Sequence, residues 1–150
     1  MAENAREEHV INLDAAPEIP EGWSVHDEDQ VEGRATGKLI WEPSKVLSIS
    51  VKILPGLGHD AHKAFREALK GQPVLGDSAF NYFRDHQRVI PKSWGSGVGF
   101  FGTIFRNEEG VRCVRTLYLT RGMFWEFWDT CPEELDGSFS TVGGILILAR

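Results

Sequence analysis

The sequence predicts an α+β fold, a curved antiparallel sheet with two main helices. Three patterns carry that reading. From Val46 to Ile53 the residues alternate strictly, with Leu47, Ile49, Val51 and Ile53 on one side and Ser48, Ser50 and Lys52 on the other; period two is the signature of a half-buried strand. From Gly99 to Asp129 three aromatic and β-branched runs are parted by Asn107-Glu108-Glu109-Gly110 and by Arg121-Gly122, which makes an antiparallel meander. Between these stretches Ala61, Ala64, Phe65, Ala68 and Leu69 recur at i, i+3, i+4, i+7 and i+8, one apolar helical stripe.

The elements follow in order. Residues 1–22 read as an acidic tail containing Pro17 and Pro20, extended or mobile apart from a short strand at His9 to Leu13. Residues 23–150 read as one domain. Trp23 to Asp27 is its first strand. Gly37 to Trp41 and Val46 to Ile53 form a hairpin about Glu42-Pro43-Ser44-Lys45, with Pro43 at the second turn position. Asp60 caps the first helix, and Gly71 and Pro73 close it. Phe80 to Ile90 reads as a strand stopped by Pro91. The meander of Gly99–Arg106, Val111–Thr120 and Met123–Asp129 comes next. A closing helix starts at Thr130 or Cys131, with Pro132 at its first position and Glu133 and Glu134 in its first turn. Leu135, Phe139, Val142 and Leu146 line its apolar face. Gly137, Gly143 and Gly144 weaken it, and Ile145 to Ala149 reads equally as a strand.

Composition bounds the function. The 150 residues are 41% hydrophobic, enough for a sizeable core, and the formal charge is −6. That charge is uneven: residues 1–30 hold nine acids and one base, −8, leaving +2 on the rest. No basic stripe or aromatic RNA motif follows, which argues against nucleic acid. No apolar run reaches the length of a membrane span, and no signal peptide opens the sequence, so the expected compartment is cytoplasmic. Two cysteines, Cys113 and Cys131, make neither a disulfide framework nor a zinc site.

Chemistry-bearing groups are few. His59-Asp60-Ala61-His62 offers three possible metal ligands in four residues, but Asp60 as a cap flanked by exposed histidines explains it more cheaply. Cys131 at a helix N-terminus would have a lowered pKa and some nucleophilic character; Cys113 reads as a small buried hydrophobe. Trp94-Gly95-Ser96-Gly97-Val98-Gly99 precedes a strand and has neither phosphate-loop nor nucleophile-elbow spacing. Glu108-Glu109 and Glu133-Glu134 have structural explanations at a hairpin tip and a first helical turn. No cofactor motif is present. The remaining candidate is a mixed sheet face of Ser48, Ser50, Val114, Thr116, Tyr118, Phe124, Glu126 and Trp128. It suits an apolar helix or peptide that also carries polar groups, unless a second helix covers it as core.

The order of elements, opened by Ile19-Pro20-Glu21-Gly22-Trp23 and centred on Ile104-Phe105-Arg106 and Arg112-Cys113-Val114-Arg115-Thr116-Leu117-Tyr118-Leu119, resembles the DcrB-like branch of the PsbP-like superfamily over residues 20–149. The chain departs from that pattern in its acidic residues 1–19 and its glycine-rich residues 92–99. The resemblance implies a PsbP-like α/β sandwich and a non-enzymatic role. It is similar in length to the Eag chaperones of type VI secretion, a likeness that implies a homodimer holding hydrophobic, transmembrane-like helices of an effector. Two other readings remain from the residues: an immunity or regulatory protein-binding module using the acidic tail, and a small enzyme using Cys131 or His59 and His62.

Overall fold

A computed structural model describes residues 8–49, 61–135 and 144–149. Its elements are β1 (Val10–Asn12), β2 (Ser24–Val25), β3 (Lys38–Ile40), β4 (Val46–Ile49), α1 (Ala61–Ala68), α2 (Asp77–Asp85), β5 (Val98–Arg106), β6 (Arg112–Arg121), β7 (Glu126–Glu134) and β8 (Gly144–Leu148). The main sheet runs β4-β8-β5-β6-β7, with β2 added along β5, and β1 pairs with β3 separately. The class is α+β. All pairings are antiparallel except β5 with β8, so the main sheet is mixed. Among the described residues no helix is long and apolar enough to cross a membrane.

Both faces of this sheet are covered. Leu146 joins Trp41, Phe80, Phe83, Trp94 and Phe100 in one apolar cluster, under α2. Its neighbours Ile145 and Ile147 join Phe65, Leu69, Phe101 and Val114 in a second, under α1. Neighbours on a strand point to opposite faces, so the helices lie on opposite sides. This is why β5 and β8 read as nearly unbroken apolar runs: a strand buried on both faces has no polar side to show. The first cluster is built largely of edge-to-face rings, Trp41 against Phe83 at 4.9 Å and Phe83 against Trp94 at 5.4 Å.

The three-strand meander forms, its third strand running Glu126–Glu134 rather than Met123–Asp129. Gly110 takes a φ of 79° in the β5–β6 turn, a conformation glycine adopts without steric cost. β6 and β7 pair continuously from Cys113↔Glu134 to Arg121↔Glu126. Within β5 the register slips between Phe100↔Arg115 and Phe105↔Cys113, so residues 101–104 bulge opposite Val114. The bulge puts Phe101 and Ile104 on the same face, which simple alternation forbids.

Residues 73–76 fill the wedge where β5 and β8 part. Leu75 N–H donates to Leu146 and its carbonyl accepts from Gly102, at 3.0 and 2.9 Å. Backbone meets backbone there: a Cβ on Gly102 would lie 2.8 Å from atoms of Val74, Leu75 and Gly76. The edge of β5 is completed by a side chain. Gln30 accepts from Ile104 N–H at 2.7 Å and donates to Ile104 O at 2.8 Å, standing in for a strand. Gln87 does the same for Trp128 on β7, at 3.3 Å in both directions.

Four expectations need correction. Phe80 to Ile90 is not a strand: α2 spans Asp77–Asp85, followed by a 3-10 turn at Gln87–Val89. Ala79, Phe80 and Phe83 sit at helical spacing, buried against the sheet, and Asp77 occupies the first turn. The closing helix is replaced, in its described parts, by strand. Residues 130–134 continue β7 and 144–148 form β8, while 136–143 lie outside the described residues. Pro132 does not start a helix; it sits on an edge strand, where a missing N–H costs little. Residues 37–49 do not form a hairpin, because β3 pairs with β1 and β4 with β8 across a 3-10 turn at Pro43–Lys45. Finally, Val46 rather than Leu47 is buried on β4; residues 50–53 and Asp60 lie outside the described residues.

The segment before Trp23 packs on this body. Ile11 and Leu13 are buried in the first cluster. His9 Nδ1 and the Tyr82 hydroxyl are hydrogen-bonded at 2.5 Å, and Glu18 N–H donates to Asp77 at 2.7 Å.

Candidate functional site

The predicted mixed face is largely interior. Val114 is buried in the cluster under α1, and Trp128 in the cluster under α2. Thr116 is buried, its hydroxyl donating to Cys131 O at 2.6 Å. Tyr118 is half-buried and donates to Asp129 at 3.2 Å; burial first, and then the Asp129 charge, push its phenol pKa up. Ser48 is exposed on the edge strand β4, and Ser50 lies outside the described residues. Trp128 pairs with Leu119 and so lies on the side opposite Val114, Thr116 and Tyr118, which means the predicted residues do not share one face.

Phe124 and Glu126 belong to a different feature, the tip of the β6–β7 hairpin. Gly122 N–H donates to Trp125 O at 2.8 Å, closing a tight turn over which the Trp125 indole folds back onto Gly122. The turn turns its apolar residues outward: Met123 is 87% exposed, Phe124 91%, Trp125 55% and Phe127 44%. Trp125 and Phe127 stack at 5.4 Å. Glu126 braces the base of the tip, pairing with Lys92 and, at 3.2 Å, with Arg121. The Lys92 hydrogen bond, ahead of the Arg121 charge, holds its carboxyl below the ordinary range. Turns are normally polar, so three consecutive large apolar residues after Gly122 were a readable signal; assigning Met123 to a strand hid it.

Two buried ionic clusters flank β5 and β6. Asp29 is fully buried. It accepts from Arg106 Nε and Nη2 at 2.6 and 2.9 Å and from Arg112 Nε at 2.8 Å. Burial alone would raise its pKa, but the two guanidinium groups outweigh that and bring it to about 2. His62 Nε2 donates to Asp29 O at 2.8 Å. Burial, and then the nearby Arg112 charge, lower its pKa. On the other face Asp77 takes Glu18 N–H and Asn81 Nδ2 on one oxygen, while its Oδ1 lies 3.5 Å from Arg115 Nε without a hydrogen bond. Burial raises the pKa of Asp77 against the pull of Arg115.

His62 is therefore a buried donor, and His59 lies outside the described residues. Among the described residues no group of three His, Cys, Asp or Glu could hold a metal ion. Cys131 is exposed on β7 rather than at a helix N-terminus. Its pKa is pushed up by burial of its surroundings and by Glu133 and Asp129, the direction opposite to nucleophilic activation. Cys113 is buried.

Fold and site together define an α+β protein whose most exposed apolar side chains, among the described residues, lie at a hairpin tip. Compared with known proteins, the chain matches no family model, no curated protein and no solved structure.

Proposed function

We propose that the protein is a non-catalytic adaptor or chaperone that holds an apolar helical segment of a partner protein, and that it does so with the β6–β7 tip rather than with the sheet face. One observation carries this reading: Met123, Phe124, Trp125 and Phe127 expose adjacent large apolar side chains at one end of the molecule. Contiguous exposed apolar surface marks interaction sites, and aromatic residues dominate binding energy at such sites. The Lys92–Glu126–Arg121 group supplies a polar rim, as interfaces of this kind require. The resemblance to the DcrB-like branch points the same way, toward hydrophobic helices of a secreted effector.

The test is a fluorescence-anisotropy titration of a labelled Leu/Ala helix of about 20 residues, a transmembrane-like probe. Met123→Ser with Phe124→Ser, the two most exposed side chains of the tip, should weaken binding at least about tenfold, about 1.4 kcal/mol. Exposed side chains carry little folding energy, so thermal stability should hold. Equal binding by the variant, or no binding by the native protein, overturns the proposal. Sedimentation of both proteins reads the competing occupant, a second copy of the chain: a native dimer that the variant abolishes, without helix binding, would assign the tip to self-association.

A further inference from the structure

A cleft of about 210 Å³ opens between the segment before β2 and the edge of the sheet, lined by Pro20, Trp23, Phe80, Arg115, Thr130, Cys131 and Pro132. It is well away in sequence and register from the hairpin tip, since Thr130 pairs with Leu117 while the tip follows Arg121↔Glu126. At about 30 Å³ per water it holds roughly seven water volumes, the scale of a small ring with a short arm. Its walls are stiff. Trp23 is fixed by donating Nε1–H to Glu108 at 3.0 Å and by edge contact with Phe105 at 5.9 Å, and two prolines stand at its borders.

The charged group in this apolar setting is Arg115. Its guanidinium lies 5.0 Å from the Phe80 ring centre and 5.2 Å from that of Phe105, cation–π contacts that help hold it in place. The side chain is only 16% exposed. Its five donors are under-used: Nη2 donates to Glu18 O at 3.0 Å, and Nε faces the Asp77 oxygen that has no hydrogen bond. Asp77 does not line the cleft, and burial disfavours its charged form, so it offsets Arg115 only in part. Glu18, the other nearby acid, pairs with Arg84 at 3.4 Å. Glu133, next to the lining residue Pro132, is half-buried. A desolvated, preoriented guanidinium with free donors is suited to a planar carboxylate. Thr130 offers a hydroxyl beside it.

We infer that this cleft binds a small carboxylate with an apolar ring or chain, its acid on Arg115 and its apolar body between Trp23, Phe80, Pro20 and Pro132. The inference is independent of the partner assigned to the hairpin tip.

The experiment is isothermal titration calorimetry of the protein with 4-phenylbutyrate or its neutral amide. The carboxylate should bind at least about tenfold more tightly than the amide, the usual margin of a charge-assisted hydrogen bond over a neutral one. Arg115→Gln should erase that difference. Thr130→Trp, a substitution at an exposed edge position that fills the cleft, should abolish binding of both probes, so the test does not depend on Arg115→Gln folding. Equal binding of acid and amide, or binding of neither, overturns the inference.

Discussion

Replacing Asp29 by Asn should remove a defined share of the protein's acid sensitivity. The carboxyl has a pKa of about 2 in the fold against an ordinary 3.8. At about 1.4 kcal/mol per tenfold change in proton affinity, that gap is worth about 2 kcal/mol of stability. The sign follows from the direction of the shift. A carboxyl depressed in the folded state binds protons better when unfolded, so its contribution is complete above about pH 4. It is lost as pH falls toward 2. Asn keeps the shape and one acceptor for Arg112, but no charge. Arg106 and Arg112 are a quarter to a third exposed, so water reaches them when the carboxylate is gone, which limits the additional penalty. Urea unfolding followed by tryptophan fluorescence, from pH 6 to pH 2, is the assay. The native protein should exceed Asp29→Asn by about 2 kcal/mol at pH 6, and the gap should close by most of that amount at pH 2. A gap that stays constant across the range would refute the assignment of the low pKa to this cluster.

Three further outcomes are expected. Gly102→Ala puts a methyl 2.8 Å from backbone atoms of residues 74–76 and should cost about 2–3 kcal/mol in urea unfolding, since backbone cannot rotate away; a cost under about 0.5 kcal/mol would mean that the wedge is loose. Gln30→Leu leaves the Ile104 N–H and C=O unpartnered, at about 1–3 kcal/mol for each buried group, and amide exchange at Ile104 should accelerate even if global stability is recovered elsewhere. His62 has a pKa lowered by burial, so the unfolded chain takes up the proton first and the native protein loses stability as pH falls below about 6.5. His62→Gln, which retains a donor for Asp29 O, should lose less stability than the native protein between pH 7 and 5, a window separate from that of Asp29.

The meander was legible because its turns and its β-branched runs agree with each other: Gly110 sits where a positive φ is needed, and Cys113 to Arg121 pair along their whole length. The helical stripe ending at Leu69 was legible for the same reason. What misled was local ambiguity settled by distant partners. Pro132 and two glutamates satisfy a helix start and an edge strand equally well, and only the length of β6 decides between them. Phe80, Tyr82 and Phe83 imitate alternation, yet Phe80 and Phe83 are on one helical face. The mixed face failed differently. Val114 and Thr116 do share a side of β6, but Trp128 pairs with Leu119 on the other side, and that register depends on where the β6–β7 turn falls. No window around Val114 contains that information. The ion pairs of Asp29 and of Arg115 span more than seventy and nearly forty positions, and no spacing rule announces them.

The place of β8 governs the order in which this molecule can assemble. The last of the described strands in chain order, β8, sits between β4 and β5, carrying antiparallel bonds on one side and parallel bonds on the other. Until it arrives, β4 has no partner in the sheet, and residues 73–76 lack the Leu146 and Leu148 contacts that seat them. A nascent chain halted before residue 144 therefore holds a meander with one raw flank and an orphaned strand. Folding waits on synthesis, and the apolar runs of β5 stay open to chaperones or to misassociation during that interval.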